Sequence, residues 1–234
     1  MSFRVRDRLG LADVVTLANA TVGVVAMSVA ITLGPRMAAR LILLAAVADG
    51  LDGIIARTYG GSSVGPFLDA MADVVSFGTA SAVFLYVATN DAIDAAMPAG
   101  VPVADLVAVL AATAVPAIVV VFSLVRTAFY TVHVGEDERR PGIQNTLAAS
   151  ILAAGYLAGF TSVPVLLGGG IVLSVLMVAP IPYPKLSARD ALVMGTVQMA
   201  AILAPTIFRR VFPRVLLVAA LAYMTLAPRF YWAE

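Results

Sequence analysis

An all-α bundle of membrane-spanning helices is the fold this sequence predicts, and three observations predict it. Apolar residues make up 61% of the 234 positions, whereas charged residues make up only 12%. The mean hydropathy of +0.98 lies far outside the range of a water-soluble domain. The apolar residues also fall in runs close to the roughly 20 residues a helix needs to cross the hydrocarbon core, each closed by Gly, Pro or charge. These runs fill the chain and leave no room for a soluble domain, so residues 1–234 read as one integral membrane domain.

In chain order, the spans are expected near 11–33, 36–58, 66–90 and 103–132, then 143–160, 163–180, 187–207 and 212–229, about eight in all. Gly168–Gly170 and the prolines at 180, 182 and 184 blur the ends of the later ones. The arginines at 4, 6 and 8 precede an apolar run that continues at full spanning length without a small-residue cleavage site, so this start is not read as a signal peptide. By the positive-inside rule they set the amino terminus in the cytoplasm, with Arg139, Arg140, Lys185 and Arg189 on the same side. The loop at 91–100, with Asp91 and Asp94 and no basic residue, then faces outward. Arg36, Arg40, Arg209, Arg210 and Arg214 also fall outward, against the rule. His133, the single histidine, and the terminal Phe230, Tyr231 and Trp232 read as interfacial residues.

Several function classes are set aside by composition. Fifteen basic and 14 acidic residues leave a net charge of +1, which gives no electrostatic footprint for nucleic acid. The absence of cysteine excludes disulfides, thiolate catalysis and cysteine metal sites.

The chemistry concentrates in one place. Four of the 14 acidic residues, Asp49, Asp52, Asp69 and Asp73, lie within 25 positions, inside or beside two apolar segments. An aspartate at mid-membrane costs about 2.5–3.5 kcal/mol on insertion scales, and several together repel one another in low dielectric. Asp49 and Asp52 are three apart, Asp69 and Asp73 four apart, so each pair shares a helix face and two neighbouring helices can aim all four carboxylates at one pocket. Oxygen ligands of this kind suit magnesium, manganese or calcium. Taken singly, such aspartates also serve as helix caps, and intramembrane carboxylates also serve cation or proton pathways. Periodicity alone does not separate an enzyme from a transporter.

The neighbours of the aspartates do separate them. Asp49-Gly-Leu-Asp52-Gly53-Ile-Ile-Ala56-Arg57, followed by Gly65-Pro-Phe-Leu-Asp69-Ala-Met-Ala-Asp73, resembles the signature D-x-x-D-G-x-x-A-R…G-x-x-x-D-x-x-x-D of the CDP-alcohol phosphotransferase family, with all eight fixed residues present. Seven residues separate Arg57 from Gly65, one fewer than in many members, in a Gly- and Ser-rich stretch able to absorb the deletion. The small Gly53 and Ala56 leave a helix surface open to a nucleotide or diphosphate, Gly65 permits close approach at a helix start, and Arg57 offers two hydrogen bonds to phosphate.

The resemblance implies a six-helix catalytic core and two divalent ions, Mg2+ or Mn2+, held by Asp49, Asp52, Asp69 and Asp73 against the diphosphate of a CDP-lipid. It further implies Asp73 as the general base toward the acceptor hydroxyl, release of CMP, and a cytoplasmic site in a multi-pass membrane protein that forms a homodimer. The stretch Leu68-Asp69-Ala-Met-Ala-Asp73-Val-Val-Ser76-Phe77-Gly78-Thr-Ala80 and the Thr16-Leu-Ala-Asn19 of the first span are similar to serine phosphatidyltransferases that use CDP-diacylglycerol. On that likeness Thr16 and Asn19 line the nucleotide site and L-serine is the acceptor, ahead of inositol phosphate or glycerol phosphate. Arg126 matches the first arginine of the family's R-L-A-R, whose second position is Phe129 here, and Gly142-Ile-Gln144-Asn145 replaces the G-L-P-I-P common in bacterial members. These departures resemble the archaeal archaetidylserine synthase branch, which implies CDP-archaeol as donor in place of CDP-diacylglycerol. Arg126, Gln144 and Asn145 are the expected acceptor contacts.

Overall fold

A computed structural model describes residues 9–96, 102–133, 140–184 and 188–230. The helices are α1 (Leu11–Leu33), α2 (Pro35–Tyr59), α3 (Gly65–Asp73), α4 (Ala80–Ala96), α5 (Pro102–His133), α6 (Asn145–Ala158), α7 (Val163–Met177), α8 (Ala188–Leu203) and α9 (Ile207–Phe230). A π-helical turn, Val74–Thr79, joins α3 to α4, so that these three run on as one rod. The expected segments from 11–33 to 187–207 thus each carry a helix. Arg4, Arg6, Arg8, Arg139, Lys185, Tyr231 and Trp232, invoked for orientation and anchoring, lie outside the described residues.

Four described stretches are long and apolar enough to cross a membrane: Leu11–Leu33, Gly65–Ile93, Leu110–Val132 and Ile207–Phe230. α2 matches them in length, but Arg36, Arg40, Asp49, Asp52 and Arg57 break its apolar character. α6 and α7 are shorter, at 14 and 15 residues. At 1.5 Å per residue each covers about 22 Å, less than the roughly 30 Å hydrocarbon core.

The packing is inverted relative to a water-soluble bundle. On α1 the buried residues are Ala12, Asp13, Thr16, Asn19, Gly23, Ala26 and Ala30, whereas Leu11, Val14, Leu17, Val24 and Ile31 are exposed. Large apolar side chains outside and small or polar ones inside are what a lipid solvent selects. α2 packs against α1 and carries the buried Ala38, Ala39, Ala45 and Ala46, small residues that let neighbouring backbones approach closely. α6 is the central strut, buried along most of its length and packed against α2, α7 and α9.

Glycines set the tightest crossings. A Cβ at Gly23 would lie 2.7 Å from Ser76 Cα, and one at Gly78 would lie 2.6 Å from Ser123 Oγ, so α1 and α5 both close directly onto the π turn. Polar groups inside the bundle bond to neighbouring backbones: Gln198 Nε2 donates to the Leu43 carbonyl at 2.7 Å, and Arg40 Nε to the Ile202 carbonyl at 2.6 Å. In low dielectric each of these removes a penalty that an unmet group would carry.

Two irregular features close the structure. Arg140–Pro141 pairs antiparallel with Pro182–Tyr183 across the starts of α6 and α8, reinforced by Tyr183 Oη donating to the Met224 carbonyl at 3.0 Å. In α9, Phe208, Arg209 and Arg210 hold left-handed φ angles of 47°, 55° and 66°, so the right-handed helix begins only after them, close to the expected start at 212. Non-glycine residues adopt this region at a cost of about 1–2 kcal/mol each.

Gly142 sits at the junction of the small sheet and α6, at φ 76°, and a Cβ there would collide with the Met177 carbonyl. Gly142→Ala therefore has both a wrong backbone and no space. It should lower the unfolding free energy by about 1–3 kcal/mol, read as a drop in the thermal unfolding midpoint in detergent, while Gly50→Ala, in the interior of α2 with open space around it, should hold the midpoint or raise it slightly.

Candidate active site

The C-terminal half of α2 supplies Asp49 and Asp52, and α3 supplies Asp69 and Asp73. Carboxylate oxygens of Asp49, Asp69 and Asp73 all lie within 4.8 Å of one another. Asp49 and Asp73 are within hydrogen-bonding reach, and Asp73 Oδ1 is fully enclosed with no protein partner. Asp69 stands at the open side and is exposed. Three negative groups at this separation repel strongly, and a cation between them is the simplest compensation. The enclosed oxygen of Asp73, the pure oxygen donor set and the one open side fit a hard divalent ion.

Asp52 is 6% exposed and stands just outside this trio, near enough for its charge to act on Asp49 and for it to sense Asp69. Thr16 of α1 holds it: the hydroxyl is 2.7 Å from Asp52 Oδ2 and 3.1 Å from the Ala12 carbonyl, so its single proton goes to one of the two. Thr146 of α6 does the same for Asp49, donating to Oδ2 at 3.0 Å. Thr16, expected at the nucleotide, thus already has a carboxylate partner, and Thr146 joins the site although sequence reasoning passed over it.

Asn19, one turn beyond Thr16, is wholly buried. Its carbonyl accepts from Ser76 Oγ at 3.0 Å, while neither atom of its side-chain amide has a partner. Asp13, on the same face, is another residue the sequence reading missed: it is 1% exposed, and Oδ2 accepts from the Gly10 amide at 2.7 Å. A Cβ on Gly65 would come within 3.1 Å of Asp13 Oδ1, which accounts for glycine at the first position of α3. The signal was available, since Asp13, Thr16 and Asn19 follow a three-residue spacing along an otherwise apolar helix.

Gly53 and Arg57 belong together. The exposed Arg57 folds back along α2 so that a Cβ on Gly53 would lie 3.5 Å from Nη1. Ala56 is half-buried on the next turn, and its carbonyl accepts from the Gly60 amide as α2 ends. Arg126 of α5 is 7% exposed, lies 4.7 Å from the centre of the Tyr130 ring, and its charge acts on Asp73. Asn145 is also buried near α5, with Nδ2 donating to Thr127 Oγ1 at 2.8 Å and Oδ1 left without a partner. Gln144 is not brought to the aspartates in the same way. It lines a cavity of about 560 Å³ between α2, α6, α8 and α9 that is walled mostly by apolar residues such as Met194, Leu216 and Leu226. Thr146 lines that cavity too, so one residue separates it from Asp49.

Replacing the threonine hydroxyls isolates their part. Thr16→Val and Thr146→Val each leave a carboxylate oxygen short of a donor and should cost about 1–2 kcal/mol of stability. Serine at either position should restore most of it, with thermal unfolding of the purified chain as the measurement.

Comparison with known proteins identifies the family. The family model for CDP-alcohol phosphatidyltransferases matches residues 9–227. An archaetidylserine synthase from Methanothermobacter thermautotrophicus is 28% identical over 191 residues, covering 80% of this chain and 75% of that protein. CDP-diacylglycerol–serine O-phosphatidyltransferases from Mycobacterium leprae (42% over 72 residues) and Methanocaldococcus jannaschii (38% over 85 residues) align over 30% and 36% of this chain. Those two stretches cover only 24% and 39% of the relatives' own lengths. With the family match running through nearly every described helix, the chain belongs to the CDP-alcohol phosphatidyltransferase family and is a membrane enzyme that transfers a lipid group from a CDP-alcohol.

Proposed function

We propose that this enzyme transfers an archaetidyl or phosphatidyl group from a CDP-activated lipid to the hydroxyl of L-serine and releases CMP. The observation that carries the reading is the meeting of Asp49, Asp69 and Asp73 within 4.8 Å beside the buried Arg126. The names of the relatives support serine as acceptor, and the archaetidylserine synthase, aligned over most of the chain, favours CDP-archaeol over CDP-diacylglycerol as donor.

In this reading the serine hydroxyl oxygen attacks the phosphorus that carries the lipid. A new P–O bond forms, the bond from that phosphorus to the CMP phosphate breaks, and CMP leaves with the electron pair. Asp73, whose enclosed Oδ1 has no protein partner, takes the hydroxyl proton. Arg126 holds the serine carboxylate, with the free Oδ1 of Asn145 as a further polar contact. Gly53, Ala56, Arg57 and Gly65 border the donor nucleotide with Asn19, whose unpartnered amide offers both a donor and an acceptor. The apolar cavity beyond Thr146 suits a lipid chain whose phosphate end lies at Asp49. Asp49, Asp69 and Asp73, with Asp52, would hold two divalent ions, magnesium or manganese, which supply charge compensation for the diphosphate and the departing CMP. The site faces the cytoplasm in a multi-pass arrangement, where a soluble amino acid and a membrane-bound donor meet.

The deciding experiment is CMP release by the purified chain with magnesium, crossing CDP-archaeol and CDP-diacylglycerol against L-serine, glycerol 3-phosphate and inositol 1-phosphate. Serine-dependent release is expected. Release with another acceptor would overturn the assignment of serine, and ion flux without release would favour a transporter. Asp73→Asn should lower turnover by about 10²–10⁴-fold with the fold intact; near-normal turnover would remove Asp73 as the base. Chelation should abolish release, and magnesium or manganese should restore it and raise the unfolding midpoint, the latter effect being lost in Asp49→Asn/Asp69→Asn. Arg126→Ala should raise the KM for serine more than that for the CDP-lipid.

A further inference from the structure

At the end of the bundle away from the aspartates lies a second polar pocket, of about 370 Å³, bordered by Arg36, Asp91, Tyr156, Gly159, Thr206 and Arg210. Its distance from the catalytic trio follows from helix geometry. Arg36 is in the first turn of α2, 13 residues before Asp49, or about 20 Å along the axis. Asp91 is 18 residues beyond Asp73 on the continuous α3–α4 rod, about 27 Å. The pocket therefore belongs to the opposite membrane surface.

This is also where the sequence disobeys the positive-inside rule, with Arg36, Arg40, Arg209, Arg210 and Arg214. Arg40 is accounted for by its bond to the Ile202 carbonyl. Arg36 and Arg210 have no such structural explanation. Among the described residues no ion pair joins either guanidinium to a carboxylate. Both act electrostatically on the Tyr156 hydroxyl together with Asp91, which places two positive charges, one negative charge and a phenol around one space.

The backbone is deformed to put Arg210 there. Phe208, Arg209 and Arg210 all take left-handed conformations that L-residues avoid, and the Arg210 guanidinium lies so close to Gly159, itself at φ 109°, that a Cβ at that position would be 2.5 Å from Nη1. Strain of this kind persists only where the surrounding structure holds the backbone in place. A pocket lined by two guanidinium groups at a membrane surface is suited to a phosphate, which accepts two parallel hydrogen bonds from each. Asp91 and the Tyr156 hydroxyl add an acceptor and a donor for the remainder of a polar headgroup.

We propose that Arg36 and Arg210 form a phosphate-binding pocket on the face opposite the active site, filled by the headgroup of a phospholipid in that leaflet. The site binds and does not react: it ties the α1–α2, α6–α7 and α8–α9 connections to one lipid. This inference stands apart from the acceptor and donor assigned above.

Thermal unfolding of the full chain in neutral detergent, with a chelator present to disable the aspartate cluster, tests it. The probes are a short-chain anionic glycerophospholipid, the corresponding diacylglycerol without phosphate, and inorganic phosphate. The phospholipid should raise the unfolding midpoint by several degrees, and the concentration giving half that shift should rise about tenfold in Arg36→Gln and in Arg210→Lys, as expected for one lost charge-assisted contact. CMP release by Arg36→Gln should match the unmodified chain. An equal response in Arg36→Gln, or an equal shift with diacylglycerol, would overturn the pocket. A full shift with inorganic phosphate alone would overturn the lipid as its source. Arg36 is exposed at a helix start, so Arg36→Gln carries the test even if Arg210→Lys fails to fold.

Discussion

Mutual repulsion among aspartates gathered within a membrane bundle is the constraint to which the rest of this structure answers. Asp49, Asp69 and Asp73 come together only because two helices and a connecting turn are held in place by others: α1 through Thr16 on Asp52, α6 through Thr146 on Asp49, and α5 through the charge of Arg126 on Asp73. Each support comes from a different helix. The acidic centre is therefore not a local feature of the signature segment but a product of the bundle around it. Without a compensating cation it is the place where the fold is least at ease.

Small residues make that arrangement possible. Helices that carry large side chains toward the lipid and alanine, glycine or serine toward one another gain little from hydrophobic burial and depend on close contact and internal hydrogen bonds. Gly23 against Ser76 and Gly78 against Ser123 bring α1 and α5 onto the π turn directly after Asp73. The Val74–Ala80 stretch, similar in sequence to serine phosphatidyltransferases, thus spends Ser76 and Gly78 on helix packing.

Much of this was legible in the sequence. The helical segments followed from apolar run length, and the convergence of the acidic pairs followed from their three- and four-residue spacing. The partners of the aspartates were not legible, because a threonine inside a membrane helix most often bonds its own backbone, as Thr21, Thr32 and Thr58 do here. Only the relative rotation of α1, α2 and α6 distinguishes Thr16 and Thr146 from these. Gln144 illustrates the reverse case: adjacent in sequence to Asn145, it turns to another cavity because α6 begins between them. The left-handed turn at Phe208–Arg210 carries no glycine to announce it, so its arginines could be read only as exceptions to a charge rule.

The π turn has a consequence for how this protein can vary. A π turn holds one residue more than the α-helical turn it replaces, and each residue of an α-helix advances the chain by about 100°. Removing one residue from Val74–Thr79 and returning the segment to α-helical geometry would therefore leave Asp69 and Asp73 facing Asp49, because both kinds of turn span the same full rotation. What would be lost is the wide turn itself, on which Ser76 meets Gly23 and Gly78 meets Ser123. A one-residue change of length can thus be taken up on either side of α3, in the loop between Arg57 and Gly65 or in the turn after Asp73, without rotating the acidic pair.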